Sequence, residues 1–254
     1  MEINTKLQML RNALPGKEVL KIGIWGDSIL QGVVLDEVKG RYCIIKDNAA
    51  DLCSQMLKVT VENYANFGCT AIKGKLRLRV YLDRGGQCDV AILEFGSNDC
   101  DMPWKEISAN PETDHSPKVP LETFSTLLQD MISALISHGV IPIMTTLPPL
   151  NHERYLNWVC RSRSINRRNI LRYIGNSYQM YRTHEQYSYE ISKVATENNC
   201  RVVDIRTAFL DYGKYRELIC IDGIHPNEKG QMLIRDTFIE FVGKYMPALK
   251  LLEN

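Results

Sequence analysis

The sequence predicts an α/β protein: a mostly parallel sheet covered by helices on both faces. Two observations carry this. Short apolar runs rich in Val and Ile alternate along the chain with longer stretches of helical periodicity. And 254 residues, with no internal repeat, low-complexity segment or linker, suit one large domain with a sizeable core. Right-handed crossovers then limit the topology to a doubly wound sandwich, whose ligands bind at the carboxyl ends of the strands.

In chain order, residues 19–25 read as a buried strand closed by Gly26-Asp27, and a helix is expected to start soon after Ser28. Residues 41–57 read as a helix, with Tyr42, Ile45, Ala49, Leu52 and Met56 at helical spacing. A second strand covers 59–64 and a short helix about 72–82. The third strand, 89–95, ends directly at Gly96. Residues 121–138 carry a continuous apolar stripe (Leu121, Phe124, Leu127, Leu128, Met131, Ile132, Leu135 and Ile136) and stop at His138-Gly139. A fourth strand, 140–146, ends before Pro148-Pro149. A long helix over 178–198, a fifth strand over 201–205 and a last helix bearing Ile234, Phe238, Phe241, Val242 and Tyr245 complete a single domain, 1–254. Two inserted loops, at about 100–120 and 151–176, interrupt the basic pattern.

Thirty-one basic against 30 acidic residues give a net charge of +1, which points away from nucleic acid or an anionic membrane as partner. No two of the eight cysteines form a Cys-x-x-Cys pair, so they read as reduced thiols rather than a zinc or redox site. Residues 1–6 lack the pattern of a signal peptide, no apolar run is long enough to span a membrane, and there is no Asn-x-Ser/Thr acceptor. A cytoplasmic protein is the expectation.

Three separated segments carry the chemistry: Gly26-Asp27-Ser28-Ile29, Gly96-Ser97-Asn98-Asp99 and Asp222-Gly223-Ile224-His225-Pro226. Ser28, after strand one, reads as a nucleophile whose N–H is also free to donate, though Asp-Ser suits a helix N-cap as well. Asn98 offers an amide to a developing oxyanion; the alternative is a turn asparagine. Asp222 lies three residues before His225. It can meet imidazole Nδ1 and leave Nε2 to take the Ser28 proton. Gly68, in Asn66-Phe67-Gly68, offers another N–H donor or is a plain turn glycine. Asp99 reads as a brace for its loop.

In their order, and at the ends of strands, these residues resemble the four blocks of the SGNH hydrolases, also called the GDSL esterase/lipase family, which contribute a Ser, a Gly, an Asn and a His: here Ser28, Gly68, Asn98 and His225, with Asp222-x-x-His225 as the paired acid. Ile29 stands where the namesake motif has Leu, and Gly-x-Ser-x-Gly of the α/β-hydrolases is absent. The resemblance implies a flavodoxin-like three-layer α/β/α sandwich with a five-stranded sheet and no metal or other cofactor. It also implies a catalytic set of Ser28, Asp222 and His225, with Ser28, Gly68 and Asn98 as the oxyanion hole. The reaction implied is hydrolysis of an acyl ester through an acyl-enzyme. Carbohydrate O-acetyl esters are the first expectation, with lysophospholipid or short-chain lipid esters or thioesters as the alternative. A non-catalytic binding module on the same fold is the reading of another class.

Of the two inserted loops, the first carries Trp104, a platform for a sugar ring or acyl chain, or an anchor of its own loop. The second carries Arg154, Arg161, Arg163, Arg167, Arg168 and Arg172 with interleaved Tyr155, Trp158, Tyr173 and Tyr178. That composition suits a solvated face, a lid or a homodimer surface, or a grip on phosphate.

Overall fold

The computed structural model of the protein describes residues 20–245 apart from Lys58, together with Thr5 and Asn12. Val19 of the expected first strand, and most of the N-terminal segment read for a targeting signal, lie outside the described residues.

Five parallel strands form the sheet: β1 (Leu20–Gly26), β4 (Val59–Asn63), β5 (Val90–Glu94), β6 (Ile141–Thr145) and β7 (Arg201–Val203), in the order β4-β1-β5-β6-β7. The strand order reverses beside β1, which makes a crevice at its carboxyl end. One face is covered by α2 (Ala71–Asp83), α4 (Leu121–Ser137) and α7 (Tyr178–Glu197), with α4 packed between the other two. The opposite face carries α1 (Ala49–Met56), α8 (Ile205–Asp211) and α9 (Glu228–Tyr245). This is a three-layer α/β/α sandwich.

Most of the predicted α4 stripe is buried: Phe124, Leu128, Met131, Ile132, Leu135 and Ile136 lie in the core, while Leu121 and Leu127 are half-buried against it. Each of the core side chains contributes about 1.5–3 kcal/mol of burial. His138 caps the helix, its Nδ1 2.8 Å from the Ala134 carbonyl. Trp25 on β1 is fully enclosed, stacked on Tyr64 at 4.9 Å between ring centroids and edge-on to Tyr81 at 5.0 Å. Among the described residues no disulfide joins two cysteines. No helix among the described residues is long and apolar enough to cross a membrane.

The helix expected over 41–57 is half wrong. Arg41–Ile44 is a strand, β3, paired antiparallel with β2 (Val33–Asp36) in a separate two-stranded hairpin. Asp36 Oδ1 accepts the N–H groups of Val38 and Lys39, and Gly40 sits at φ +62 to close the turn. The helix begins only at Ala49, where the Asn48 side chain accepts the Asp51 N–H.

The two inserted segments are partly helical: α3 (Trp104–Ala109) in the first, α5 (His152–Val159) and α6 (Arg167–Ile174) in the second. Ile107, Leu150, Leu156, Ile170 and Met180 join them to α7 in a second apolar cluster.

Candidate active site

Sterics fix the entry to the site. A Cβ on Gly26 would lie 2.8 Å from Glu94 Oε2 and 2.9 Å from the Glu94 carbonyl oxygen on the neighbouring strand, so only glycine fits. The Asp27 N–H donates to Glu94 Oε2 at 3.0 Å. Asp27 Oδ1 accepts the Ile29 N–H at 2.9 Å, and Val33 N–H reaches back to the Ser28 carbonyl at 2.9 Å. This tight turn feeds into β2; the helix expected after Ser28 does not form.

The turn aims Ser28 at the last loop. Its hydroxyl lies 2.8 Å from His225 Nε2, and His225 Nδ1 lies 2.6 Å from Asp222 Oδ2. The loop is folded back as the spacing predicts. Cys220 N–H donates to the His225 carbonyl at 2.8 Å, and Gly223, at φ +81, presses against α5, where a Cβ would meet Tyr155 N at 2.4 Å. Asp222 has no solvent exposure. Burial opposes its charge, but the His225 imidazole and the Ile224 and His225 N–H groups on Oδ1 hold its carboxyl below the usual carboxylate range.

Asn98 arrives from the end of β5. One N–H of its Nδ2 donates to Asp27 Oδ2 at 2.9 Å, which fixes the amide beside Ser28 and leaves its second N–H. Asp27 is thus a brace. Complete burial and the neighbouring Asp27 carboxyl push the Glu94 carboxyl behind it well above the usual carboxylate range. Asp99 braces the loop as expected, accepting the Ala71 N–H at 2.8 Å and the Gly96 N–H at 3.0 Å. Gly68 sits at φ +68 after β4. Among the described residues, neither its N–H nor that of Ser28 has a protein acceptor. The structure therefore joins Ser28, His225 and Asp222 in one hydrogen-bonded series, with Asn98 held separately on Asp27. Gly68 enters through Phe67, whose ring stacks on His225 at 5.8 Å.

Sequence reasoning missed the wall of the site. Tyr42, assigned above to a helix face, stands on β3 with its ring 4.8 Å from that of His225. Tyr42 also meets Phe67 at 5.1 Å and Trp158 of α5 at 6.1 Å. The signal that points to this is the Asp36–Gly40 turn between two apolar pairs of residues. Val34, Leu35 and Cys220 pack behind Tyr42 and Trp158.

Trp104 donates its indole N–H to Asp101 at 2.7 Å and packs edge-on to Tyr155, so it anchors its loop; it also lines a cavity of about 660 Å³. That cavity lies beside the site: Ser97, next to Asn98, and Ile224, next to His225, form part of its wall. The arginines do not act as one cluster. Arg154 binds the carbonyls of Arg216 and Ile219, Arg167 binds Asn157, Arg172 pairs with Glu112, and Arg161 lies over Trp158.

Residues 24–233 match the GDSL-like lipase/acylhydrolase family. Among solved structures, a lipase/acylhydrolase from Enterococcus faecalis is similar at 21% identity and TM-score 0.62, over 92% of this chain and 100% of that one. The acetylxylan esterase Axe2 from Geobacillus stearothermophilus is similar at 20% identity and TM-score 0.60, over 88% and 94%. A lipolytic protein of the G-D-S-L family from Veillonella parvula is similar at 15% identity and TM-score 0.59, over 88% and 98%. At such identities these likenesses establish the fold. No curated protein sequence matches. With 210 consecutive residues matched, from β1 to α9, the chain belongs to the GDSL-like lipase/acylhydrolase family.

Proposed function

We propose that this protein is a serine ester hydrolase that releases short acyl groups, with O-acetylated carbohydrates as its substrates. The hydrogen-bonded series Ser28–His225–Asp222, at 2.8 and 2.6 Å, carries the reading. Ser28 Oγ attacks the ester carbonyl as its proton passes to His225 Nε2, and the Asp222 carboxylate stabilises the imidazolium. The N–H groups of Ser28 and Gly68 and the second N–H of Asn98 receive the oxyanion. His225 returns the proton to the departing alcohol, leaving an acyl-Ser28. Water, deprotonated by His225, then attacks that ester and restores the serine with release of the acid. The buried Asp222 is charged throughout, so the imidazole is held in the tautomer this cycle needs.

Carbohydrate as the alcohol is supported by the ring surface beside His225, the residue that protonates the leaving group: Phe67 is 50% exposed and meets the half-buried Tyr42, which in turn meets Trp158. Sugar faces pack well on such surfaces, and one structural neighbour is an acetylxylan esterase. The cavity of about 660 Å³ behind Ser97 and Ile224, with Trp104, Leu121, Leu150 and Met180 in its wall, favours a second reading in which a longer acyl chain is accommodated. Hydrolysis of p-nitrophenyl acetate, butyrate and octanoate separates them. Rates that fall with chain length and disappear in Ser28→Ala support the acetylesterase; rates that rise support the lipid reading. Activity that survives Ser28→Ala, or no activity from folded protein on any ester, refutes the serine mechanism.

A further inference from the structure

One guanidinium stands at the end of a row of side chains that reaches His225. Arg161 lies in the turn between α5 and α6 with its Cζ 3.8 Å from the centroid of the Trp158 ring. Trp158 contacts Tyr42 edge-on at 6.1 Å, and Tyr42 lies 4.8 Å from His225. A continuous strip of three side chains thus leads from the group that protonates the leaving alcohol to a cation. The strip is built rather than incidental: Val34, Leu35 and Cys220, all buried, support Tyr42 and Trp158 from behind. Arg161 donates one Nη1 hydrogen bond to the Trp158 carbonyl at 2.6 Å, which keeps it stacked. A guanidinium has five N–H donors, so this bond leaves most of them for other partners. Among the described residues no carboxylate pairs with Arg161, whereas Arg172 and Arg216 nearby in sequence or space are paired with Glu112 and Glu153.

Resting on the esterase reading above, we infer that the strip Tyr42–Trp158–Arg161 is the subsite for the leaving alcohol and that it selects an alcohol bearing an anionic group. The rings take the apolar face of the alcohol. The guanidinium takes a carboxylate or phosphate by a paired hydrogen bond, a geometry it offers and an ammonium does not. An alcohol held this way presents its ester oxygen to His225 Nε2. An acyl chain has no use for the cation, so the selectivity belongs to the alcohol side of the ester.

The test uses three mono-O-acetylated methyl galactosides that share a ring: the neutral sugar, its 6-carboxylate (the galacturonoside) and its 6-phosphate. The wild-type protein is expected to favour at least one anionic ester over the neutral one by about three- to tenfold in kcat/KM, a preference that shrinks at high salt. Arg161→Gln brings the ratio close to one, and Arg161→Glu inverts it. Which anionic ester is favoured decides between a sugar acid and a phosphorylated alcohol. Equal kcat/KM for all three esters in the wild-type protein overturns the inference, as does a preference that Arg161→Gln retains. Failure to hydrolyse p-nitrophenyl acetate sinks the esterase reading itself; hydrolysis of that ester without charge preference sinks only the subsite.

Discussion

Acid should unfold this protein through a histidine that takes no part in the proposed chemistry. His184 on α7 is 1% exposed; its Nε2 lies 3.4 Å from Ser97 Oγ and its Nδ1 has no hydrogen-bond partner among the described residues. Burial, reinforced by the charge of Arg206, pushes its pKa from 6.5 down to about 3, so the native state keeps it neutral. The unfolded chain binds a proton near pH 6.5 that the native state refuses. Stability attributable to this residue is therefore whole above pH 6.5 and declines by about 1.4 kcal/mol per pH unit below it, until the folded pKa is reached. At pH 5 the loss amounts to about 2 kcal/mol. His184→Leu removes the titration and gives up only one long hydrogen bond. Urea unfolding of both proteins at pH 7.5 and pH 5.0 measures the effect. The acid-induced drop in stability should be about 2 kcal/mol smaller in the variant, near 1 M in urea midpoint at an ordinary denaturant slope. Equal drops in the two proteins would refute the assignment of a neutral buried imidazole.

Other outcomes follow from the site. Asp222 Oδ1 accepts two backbone N–H groups. Asp222→Asn would keep its oxygen there and turn its NH₂ toward His225, forcing the tautomer whose Nε2 carries hydrogen; kcat on p-nitrophenyl acetate should fall about 10³–10⁴-fold with the circular dichroism spectrum unchanged. Asn98→Ala removes an oxyanion donor and should lower kcat about 10²–10³-fold with a much smaller change in KM. Gly26→Ala drives a methyl group against Glu94 and should destabilise the fold by about 1–3 kcal/mol, read as a lower thermal midpoint.

The parts of the site that were legible in the sequence share a physical origin. Ser28, Asn98 and Gly68 each follow a strand, and strands of a covered sheet announce themselves as apolar runs with an abrupt polar end. Asp222 and His225 are three residues apart, so their contact is a local matter decided by the turn at Gly223. Tyr42 was hidden for the opposite reason. Its spacing to Ile45, Ala49, Leu52 and Met56 is helical, yet the Asp36 side chain closes a turn on the N–H groups of Val38 and Lys39. The Asn48 cap then restarts the chain as a helix at Ala49. Two short side-chain-to-backbone motifs outweighed a five-residue periodicity. The small helices α3, α5 and α6 likewise lie in segments that the sequence presents as loops. Only Leu156 of α5 and Ile170 of α6 are buried, too short a stripe to signal a helix before its partners are known.

That division has a consequence for function. Of the groups proposed to carry out the reaction, Ser28, Gly68 and Asn98 follow the carboxyl ends of strands, where Gly26 against Glu94 and Asp27 against Asn98 leave little freedom, and Asp222 and His225 stand on the folded-back loop before α9. Tyr42, Trp158 and Arg161 come instead from a hairpin and from the segment after β6, with Tyr42 and Trp158 held by a separate apolar cluster. Substitutions at Trp158 or Arg161 can therefore alter which alcohol is accepted without touching the hydrogen bonds that activate Ser28. Those at Asp27 or Glu94 would disturb the reaction for every substrate alike. Measured on several esters in parallel, the first kind should change ratios of kcat/KM between substrates and the second their common level; a uniform loss from Trp158→Ala would show that the wall supports His225 rather than selecting the alcohol.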